Sequence, residues 1–262
     1  VRSSAASDVY KRQAPTIDDI VATPTGFLST VLDANGNQTA TLVASGSNRR
    51  AVTIDEIPKN LQHAFVAIED ERFYEHNGID VTGIIRAGVK GVASGFHFSE
   101  GASTITQQLL KNTVFTSWTS ESSMADKFER KFQEQYLALQ LEKVVDKDWI
   151  LENYLNAINL GQNTLGVGVA SERYFGKDVS DLTLSECAVL AAITQNPSKY
   201  NPITNPQENS KRRMKVLNNM KDQGYISQEE YDEATKTAKR SNYICNELFT
   251  WADVYDTANH DE

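Results

Sequence analysis

Ile68-Glu69-Asp70-Glu71-Arg72-Phe73-Tyr74-Glu75-His76-Asn77-Gly78 closes an apolar-periodic segment, and its reading decides what surrounds it. Upstream, Leu61, Phe65 and Ile68 recur at spacings of four and three, one face of a helix, and Pro58 suits a first helical turn. The spacing predicts a helix that ends near Glu69–Phe73, then a loop containing Gly78. A carboxylate at the end of an apolar helix, beside such a loop, is placed to be half-desolvated, the setting of a general base. The plain alternative is a solvated acid among Asp70 and Glu71. His76 reads as a structural hydrogen-bond donor.

Outward from that stretch, the chain before it is β-like and the chain after it helical. Phe27 to Leu32 and Thr39 to Val43 alternate apolar and polar residues around Asp33-Ala34-Asn35-Gly36-Asn37, whose Asn-Gly predicts a hairpin turn. A short strand is expected at Ala51-Val52-Thr53-Ile54. Downstream, Asp80 can cap a helix with Ile84, Ile85, Val89 and Val92 inward. Thr104-Ile105-Thr106-Gln107 is a capping-box pattern opening a helix through Lys111. Ala125 to Val144 reads as a long helix with Phe128, Phe132, Tyr136 or Leu137, and Leu139 to Leu141 as its apolar stripe, and Lys147 to Ile158 follows as another. Thr183-Leu184-Ser185-Glu186 and Ser227-Gln228-Glu229-Glu230 are further capping boxes, and Asn205-Pro206 is a cap followed by a first-position proline. The fold class is mainly α with a small N-terminal β-hairpin.

With 262 residues, 40% hydrophobic and 23% charged, the chain can bury a sizeable core. A net charge of −9 argues against nucleic acid as a partner, so an anionic substrate would need a local basic cluster. Cys187 lies in an apolar run and reads as a small core residue; with Cys245 it forms no metal-ligand spacing and no disulfide framework. Residues 1–13 look like a non-native scar. The stretches 95–100 and 113–123 carry Phe96, Phe98, Val114, Phe115 and Trp118 among small polar residues; they fold back on the core or form a lip for a membrane surface.

Three polar clusters follow Glu69. Glu134 lies four residues after Arg130 and three after Lys131, so all share one side of a helix. Either this is a surface ion pair worth under ~0.5 kcal/mol, or the carboxylate organises cations for phosphate. Ser103, Thr104, Gln107 and Gln108 place hydroxyl, amide and backbone N–H groups at a helix start, an anion site or a simple cap, and Lys111 adds a cation. Glu152, Tyr154 and Asn156 read alone as part of an ordinary amphipathic helix, and Arg212-Arg213-Met214-Lys215 as a solvated basic turn.

In conjunction these clusters resemble the family 51 glycosyltransferases, the peptidoglycan polymerase domain of class A penicillin-binding proteins and monofunctional transglycosylases. Glu69-Asp70-x-x-Phe73-x-x-His76-x-Gly78, Gly101-x-Ser103-Thr104-x-x-Gln107-Gln108 with Lys111-Asn112, and Arg130-Lys131-x-x-Glu134 match the first three signatures. Lys147-x-x-Ile150-Leu151-Glu152-x-Tyr154-Leu155-Asn156 and Arg212-Arg213-x-x-Val216-Leu217 match the fourth and fifth. Leu190 to Pro202 is also similar, and the resemblance covers about residues 51–235. One departure is Ala102, where many relatives carry a second glycine.

The resemblance implies a lysozyme-like, two-lobed helical fold with a long cleft. It implies lipid II and a growing glycan strand as substrates, joined with inversion and release of undecaprenyl pyrophosphate. Glu69 would be the base and Glu134 the second catalytic carboxylate, orienting cations or helping to hold Mg²⁺ or Mn²⁺. Lys111, Lys127, Arg130 and Lys131 would stabilise the pyrophosphate, Ser103, Thr104, Gln107 and Gln108 would bind sugar or phosphate oxygens, and Arg212 would contact phosphate or brace the cleft. Asp70, Phe73, His76, Gly78, Glu152, Tyr154 and Asn156 would be structural parts of the signatures.

Other partners implied are the membrane surface at the extracytoplasmic face of a bacterial cell, moenomycin-type inhibitors and cell-wall synthesis proteins. On this reading residues 14–50 are a β-rich juxtamembrane segment, 51–239 the glycosyltransferase domain and 240–262 a linker or the truncated start of a following region. No Ser-x-x-Lys, Ser-x-Asn or Lys-Thr-Gly occurs, so no serine ester with β-lactams is expected from these residues. The rivals are a glycan-cleaving enzyme of lysozyme or lytic-transglycosylase type, which uses its Glu as an acid, and a non-catalytic cell-wall binding module.

Overall fold

The computed structural model describes residues 22–42, 48–93, 103–115 and 123–240. The expectations for residues 1–13, Phe96, Phe98, Gly101, Ala102, Trp118, Cys245 and the tail from Ser241 lie outside the described residues. Among the described residues nine α-helices stand beside one two-stranded sheet, so the mainly α reading holds. Backbone packing divides the chain into two compact units, Gly26–Glu71 with Ile158–Glu262, and Arg72–Ala157 with Val1–Thr25. They are called the Glu69 unit and the Glu134 unit.

The Glu69 unit begins with the hairpin. β1 (Ser29–Leu32) and β2 (Gln38–Leu42) pair antiparallel with Ser29 opposite Leu42. The Asp33 carboxylate accepts from the Asn35 and Asn37 backbone N–H groups at 2.8 and 2.9 Å, which closes the turn around Gly36 at φ +83°. The hairpin is solvent-exposed throughout β1. The strand expected at Ala51–Ile54 does not form. The Glu56 carboxylate accepts from both Thr53 N–H at 2.6 Å and Thr53 Oγ1–H at 2.8 Å, bending the chain into a turn. The ladder there shrinks to a single bridge between Arg49 and Leu165.

α1 (Lys59–Glu69) is the predicted helix, with Leu61 and Phe65 fully buried. It packs on α7 (Leu184–Ile193) and α8 (Pro206–Asp222). α7 is apolar all round and every one of its residues except Leu184 is buried, the pattern of a central helix. Its capping box is complete: Thr183 and Glu186 exchange side-chain and backbone hydrogen bonds. Cys187 lies in this core, where burial pushes its thiol pKa up, and it is a packing residue as expected. α8 adds Val216, Leu217 and Met220. It also ties down the end of α1, because Asn219 Nδ2 and Gln223 Nε2 both donate to the Ala67 carbonyl at 3.0 Å. That carbonyl belongs to the last turn of α1, which has no continuing helix to satisfy it. α6 (Val167–Phe175) packs on α7, and α9 (Gln228–Arg240) packs on α7 and α8.

The Glu134 unit holds α2 (Val81–Ala93), α3 (Ile105–Thr113), α4 (Met124–Leu141) and α5 (Lys147–Ala157). α3 packs on both α4 and α5, and Ile105, Leu109, Leu110, Leu137, Ile150, Leu151 and Tyr154 are fully buried. Asp80 caps α2 by accepting from Gly83 N–H at 2.9 Å. Burial opposes ionisation of this carboxylate, but the Arg72 guanidinium, at 2.5 Å, and the Gly83 N–H together hold its pKa below the ordinary value. Two expectations about packing fail here. Ile84, Ile85 and Val89 are 38%, 62% and 64% exposed rather than inward, and Phe128 and Phe132 on α4 are 65% and 53% exposed. The buried side of α4 is Glu134, Leu137, Ala138 and Leu141 instead. Helical periodicity marks an amphipathic face, but it does not say whether protein covers that face. Val92 falls outside the residues whose side chains are described.

Candidate functional site

In the Glu69 unit, Glu69 is the last residue of α1, so its side chain leaves the helix where the held Ala67 carbonyl fixes the backbone. The Glu69 side chain is 14% exposed while Glu71 is exposed, which separates Glu69 from the solvated acid the sequence alone allows. Two groups converge on its Oε1. Thr194 Oγ1, at the C-terminal cap of α7, donates a hydrogen bond to it, and the Arg212 guanidinium on α8 stands 3.6 Å away. Arg212 is 10% exposed and lies over the Tyr200 ring at 5.1 Å, so it is a buried brace rather than a solvated basic turn. Arg213 is buried as well.

In the Glu134 unit, Glu134 is 1% exposed. Arg130 Nη1 bonds Oε1, and Lys131 Nζ bonds Oε2 at 3.0 Å, which replaces the surface-pair reading with a triad around a buried carboxylate. Lys131 Nζ also donates to Ser103 Oγ at 2.8 Å and to Gln107 Oε1 at 3.1 Å. Gln107 Nε2 and Thr104 Oγ1 both donate to the Gly78 carbonyl, at 3.4 and 2.8 Å. The start of α3 and one side of α4 therefore meet around one ammonium group, and α3 in turn holds the Gly78 loop. Thr104 accepts from the Gln107 N–H as the capping pattern predicts, but the Gln107 side chain turns to Gly78 and Lys131 instead of closing the box.

Gly78 approaches α4 too closely for a side chain. It sits at φ +88°, and a Cβ there would lie 2.5 Å from the Ala138 carbonyl oxygen. Phe73 is fully buried, its ring edge-on to Tyr74 and His76 and facing Lys147 Nζ at 4.5 Å. Tyr154 donates to Gln108 Oε1 at 3.4 Å, and Asn156 Nδ2 to the Glu152 carbonyl at 2.9 Å, so these parts of the fourth signature brace α3 and α5. Asp70 is buried; Lys111 is part-buried on α3, and Lys127 is exposed on the first turn of α4.

The triad carries one anion against two cations, a net positive charge beside hydroxyl and amide groups. That is the charge balance needed to receive an anion. It does not fit a resident metal ion: each oxygen of Glu134 is taken by a cation, and no cluster of three His, Cys, Asp or Glu able to hold a metal occurs among the described residues. Sequence reasoning missed Thr194 and the stacking of Arg212 on Tyr200, because neither follows from local spacing.

The site thus offers a helix-end carboxylate braced by an arginine in one unit and, in the other, a buried carboxylate that holds two cations. The transglycosylase family model matches residues 35–221, and the chain belongs to that family. It is 44% identical over 231 residues to penicillin-binding protein 1A of Clostridium perfringens (strain 13 / Type A), covering 85% of this chain and 33% of that protein. It is 47% identical over 203 residues to penicillin-binding protein 1F of Bacillus subtilis (strain 168), covering 77% and 27%. Among solved structures, penicillin-binding protein 1A from Haemophilus influenzae aligns at a TM-score of 0.44 and 26% identity, over 81% of this chain and 21% of that one. The chain thus spans about a third or less of the curated relatives it matches.

Proposed function

We propose that this transglycosylase polymerises lipid II into β-1,4-linked glycan strands, releasing undecaprenyl pyrophosphate. The observation that carries the proposal is the buried Glu134 holding Arg130 and Lys131 beside Ser103. A departing pyrophosphate needs positive charge more than it needs a proton. A glycan-cleaving enzyme releases a sugar hydroxyl and needs an acid instead.

Glu69 accepts the proton of the acceptor's 4-hydroxyl as that oxygen bonds to the donor's anomeric carbon. The carbon–oxygen bond to pyrophosphate breaks on the opposite face and its electron pair leaves with the phosphate, so the configuration inverts. Arg130 and Lys131 receive the developing charge, with Lys111 and Lys127 as outlying cations. Ser103, Gln107 and Gln108 supply oxygen and nitrogen partners, and Thr104 holds the Gly78 loop. Arg212 faces the Glu69 carboxylate and orients it. Mg²⁺ or Mn²⁺ is proposed only as an ion carried on the substrate's phosphates.

Labelled lipid II, supplied with Mg²⁺ or Mn²⁺ and separately with chelator, tests this. Muramidase-sensitive polymer is expected, in amounts cut by a moenomycin-type inhibitor. A protein that leaves lipid II untouched but shortens preformed strands is the lytic rival.

The exposed apolar faces of α2 and α4 support a second proposal, that the Glu134 unit rests on the extracytoplasmic surface of a membrane, where a polyprenyl substrate resides. No helix among the described residues is long and apolar enough to cross a membrane. Flotation with phosphatidylglycerol-containing vesicles is expected to carry the protein upward, and Ile85→Glu combined with Phe128→Glu to leave it at the bottom. Equal flotation of both would remove these faces from the contact. Cell-wall synthesis proteins as partners belong to the same proposal.

A further inference from the structure

We infer that Thr194 is a positioning residue for Glu69, an inference that rests on Glu69 being the base. The terminal torsion of a glutamate is broad and roughly two-fold, so a carboxylate at a helix end sweeps a range of planes unless a donor fixes it. Thr194 Oγ1 is such a donor. It bonds Glu69 Oε1 across 125 residues of sequence, and its own placement is set by the end of α7.

Thr194 keeps helical backbone angles, φ −51° and ψ −47°, and its hydroxyl lies 3.0 Å from the Ala191 carbonyl three residues back. A β-branched side chain in this position has few rotamers, and the back-bond to the preceding turn selects one. The hydroxyl has one hydrogen and two acceptors in reach. An ionised carboxylate is the stronger acceptor and takes it. Once the carboxylate is neutralised by a proton, the same hydrogen has the Ala191 carbonyl to turn to, so no donor is stranded and no heavy atom has to move. Arg212 approaches the same Oε1 from α8, so two elements grip one oxygen and set the plane of the group. Orientation of this kind acts on the chemical step and not on substrate binding.

The test compares Thr194→Ser and Thr194→Ala, which differ by one oxygen, with Thr194→Val and Glu69→Gln in the same lipid II assay. Thr194→Ala and Thr194→Val are expected to lower kcat about tenfold, the worth of a hydrogen bond to a charged group, with KM for lipid II within about twofold of the parent. Thr194→Ser is expected to restore kcat to within about twofold. Equal kcat for Thr194→Ser and Thr194→Ala overturns the inference, even if Thr194→Val fails to fold. If Glu69→Gln polymerises at the parental rate, the base assignment falls and this inference with it. If Glu69→Gln is inactive while Thr194→Ala matches the parent, only the role of Thr194 is lost.

Discussion

Glu69→Gln is expected to slow polymerisation by about 10³-fold, roughly 4 kcal/mol of transition-state stabilisation, the range for loss of a positioned general base. The substitution preserves shape. The amide carbonyl still accepts from Thr194, and the helix end stays held through the Ala67 carbonyl by Asn219 and Gln223. What disappears is the ability to take a proton, together with the anion that Arg212 faces at 3.6 Å. Arg212 remains over Tyr200, so the loss of its partner should cost little of the fold. Single-turnover rates with the unfolding midpoint measured on the same preparation separate the two effects. A well-folded variant that polymerises at more than about a tenth of the parental rate would remove Glu69 as the base, since base catalysis is worth at least about 10²-fold.

Glu134→Gln is expected to act on both activity and stability. The buried carboxylate is the common partner of Arg130 and Lys131, and its removal leaves two cations side by side. Breaking a buried pair costs about 3–5 kcal/mol, and because Lys131 is 37% exposed and can relax toward water, about 2–3 kcal/mol is expected here. Lys131 would also lose the geometry that brings it to Ser103 and Gln107, so polymerisation should fall about 10²-fold at temperatures where the variant is folded. Urea unfolding and initial rates check the two parts. An unchanged unfolding midpoint would mean that the triad is not the organising ion cluster of its unit, and an unchanged rate would end its role with the leaving group.

Much of the local structure is legible in the chain. The Asn35-Gly36 turn forms the hairpin as read, and the capping residues Asp80, Thr183 and Ser227 bond as read. These signals are local: a side chain satisfies a backbone group two to four residues away, and the sequence carries both partners. Leu61 and Phe65 are buried for the related reason that α1 has protein on its apolar side. Ile85 and Phe128 carry the same periodicity and are exposed, because coverage is a property of neighbours and not of the helix. At Ala51–Ile54 a side-chain turn from Glu56 outcompetes strand pairing.

The candidate site divides along the same line. The Arg130, Lys131 and Glu134 spacing places three charges on one side of a helix, but burial of Glu134 and the reach of Lys131 to Ser103 depend on α3 packing against α4. Family resemblance, rather than periodicity, marks those positions. Thr194 had neither signal. It follows an apolar run, carries no charge and meets Glu69 only in the folded chain.

The pairing of Glu69 with Thr194 closes a span of 125 residues, and Arg212 lies further along still. During synthesis the stretch that carries Glu69 leaves the ribosome long before α7 and α8 do. Contacts of such separation form only after the intervening chain is available to fold and its closure entropy is met. A nascent chain that ends before α7 therefore carries Glu69 as an ordinary helix-end acid. The setting of Glu69 arrives with α7 and α8 and not with Glu69 itself, so an unfinished chain holds the carboxylate without its surroundings.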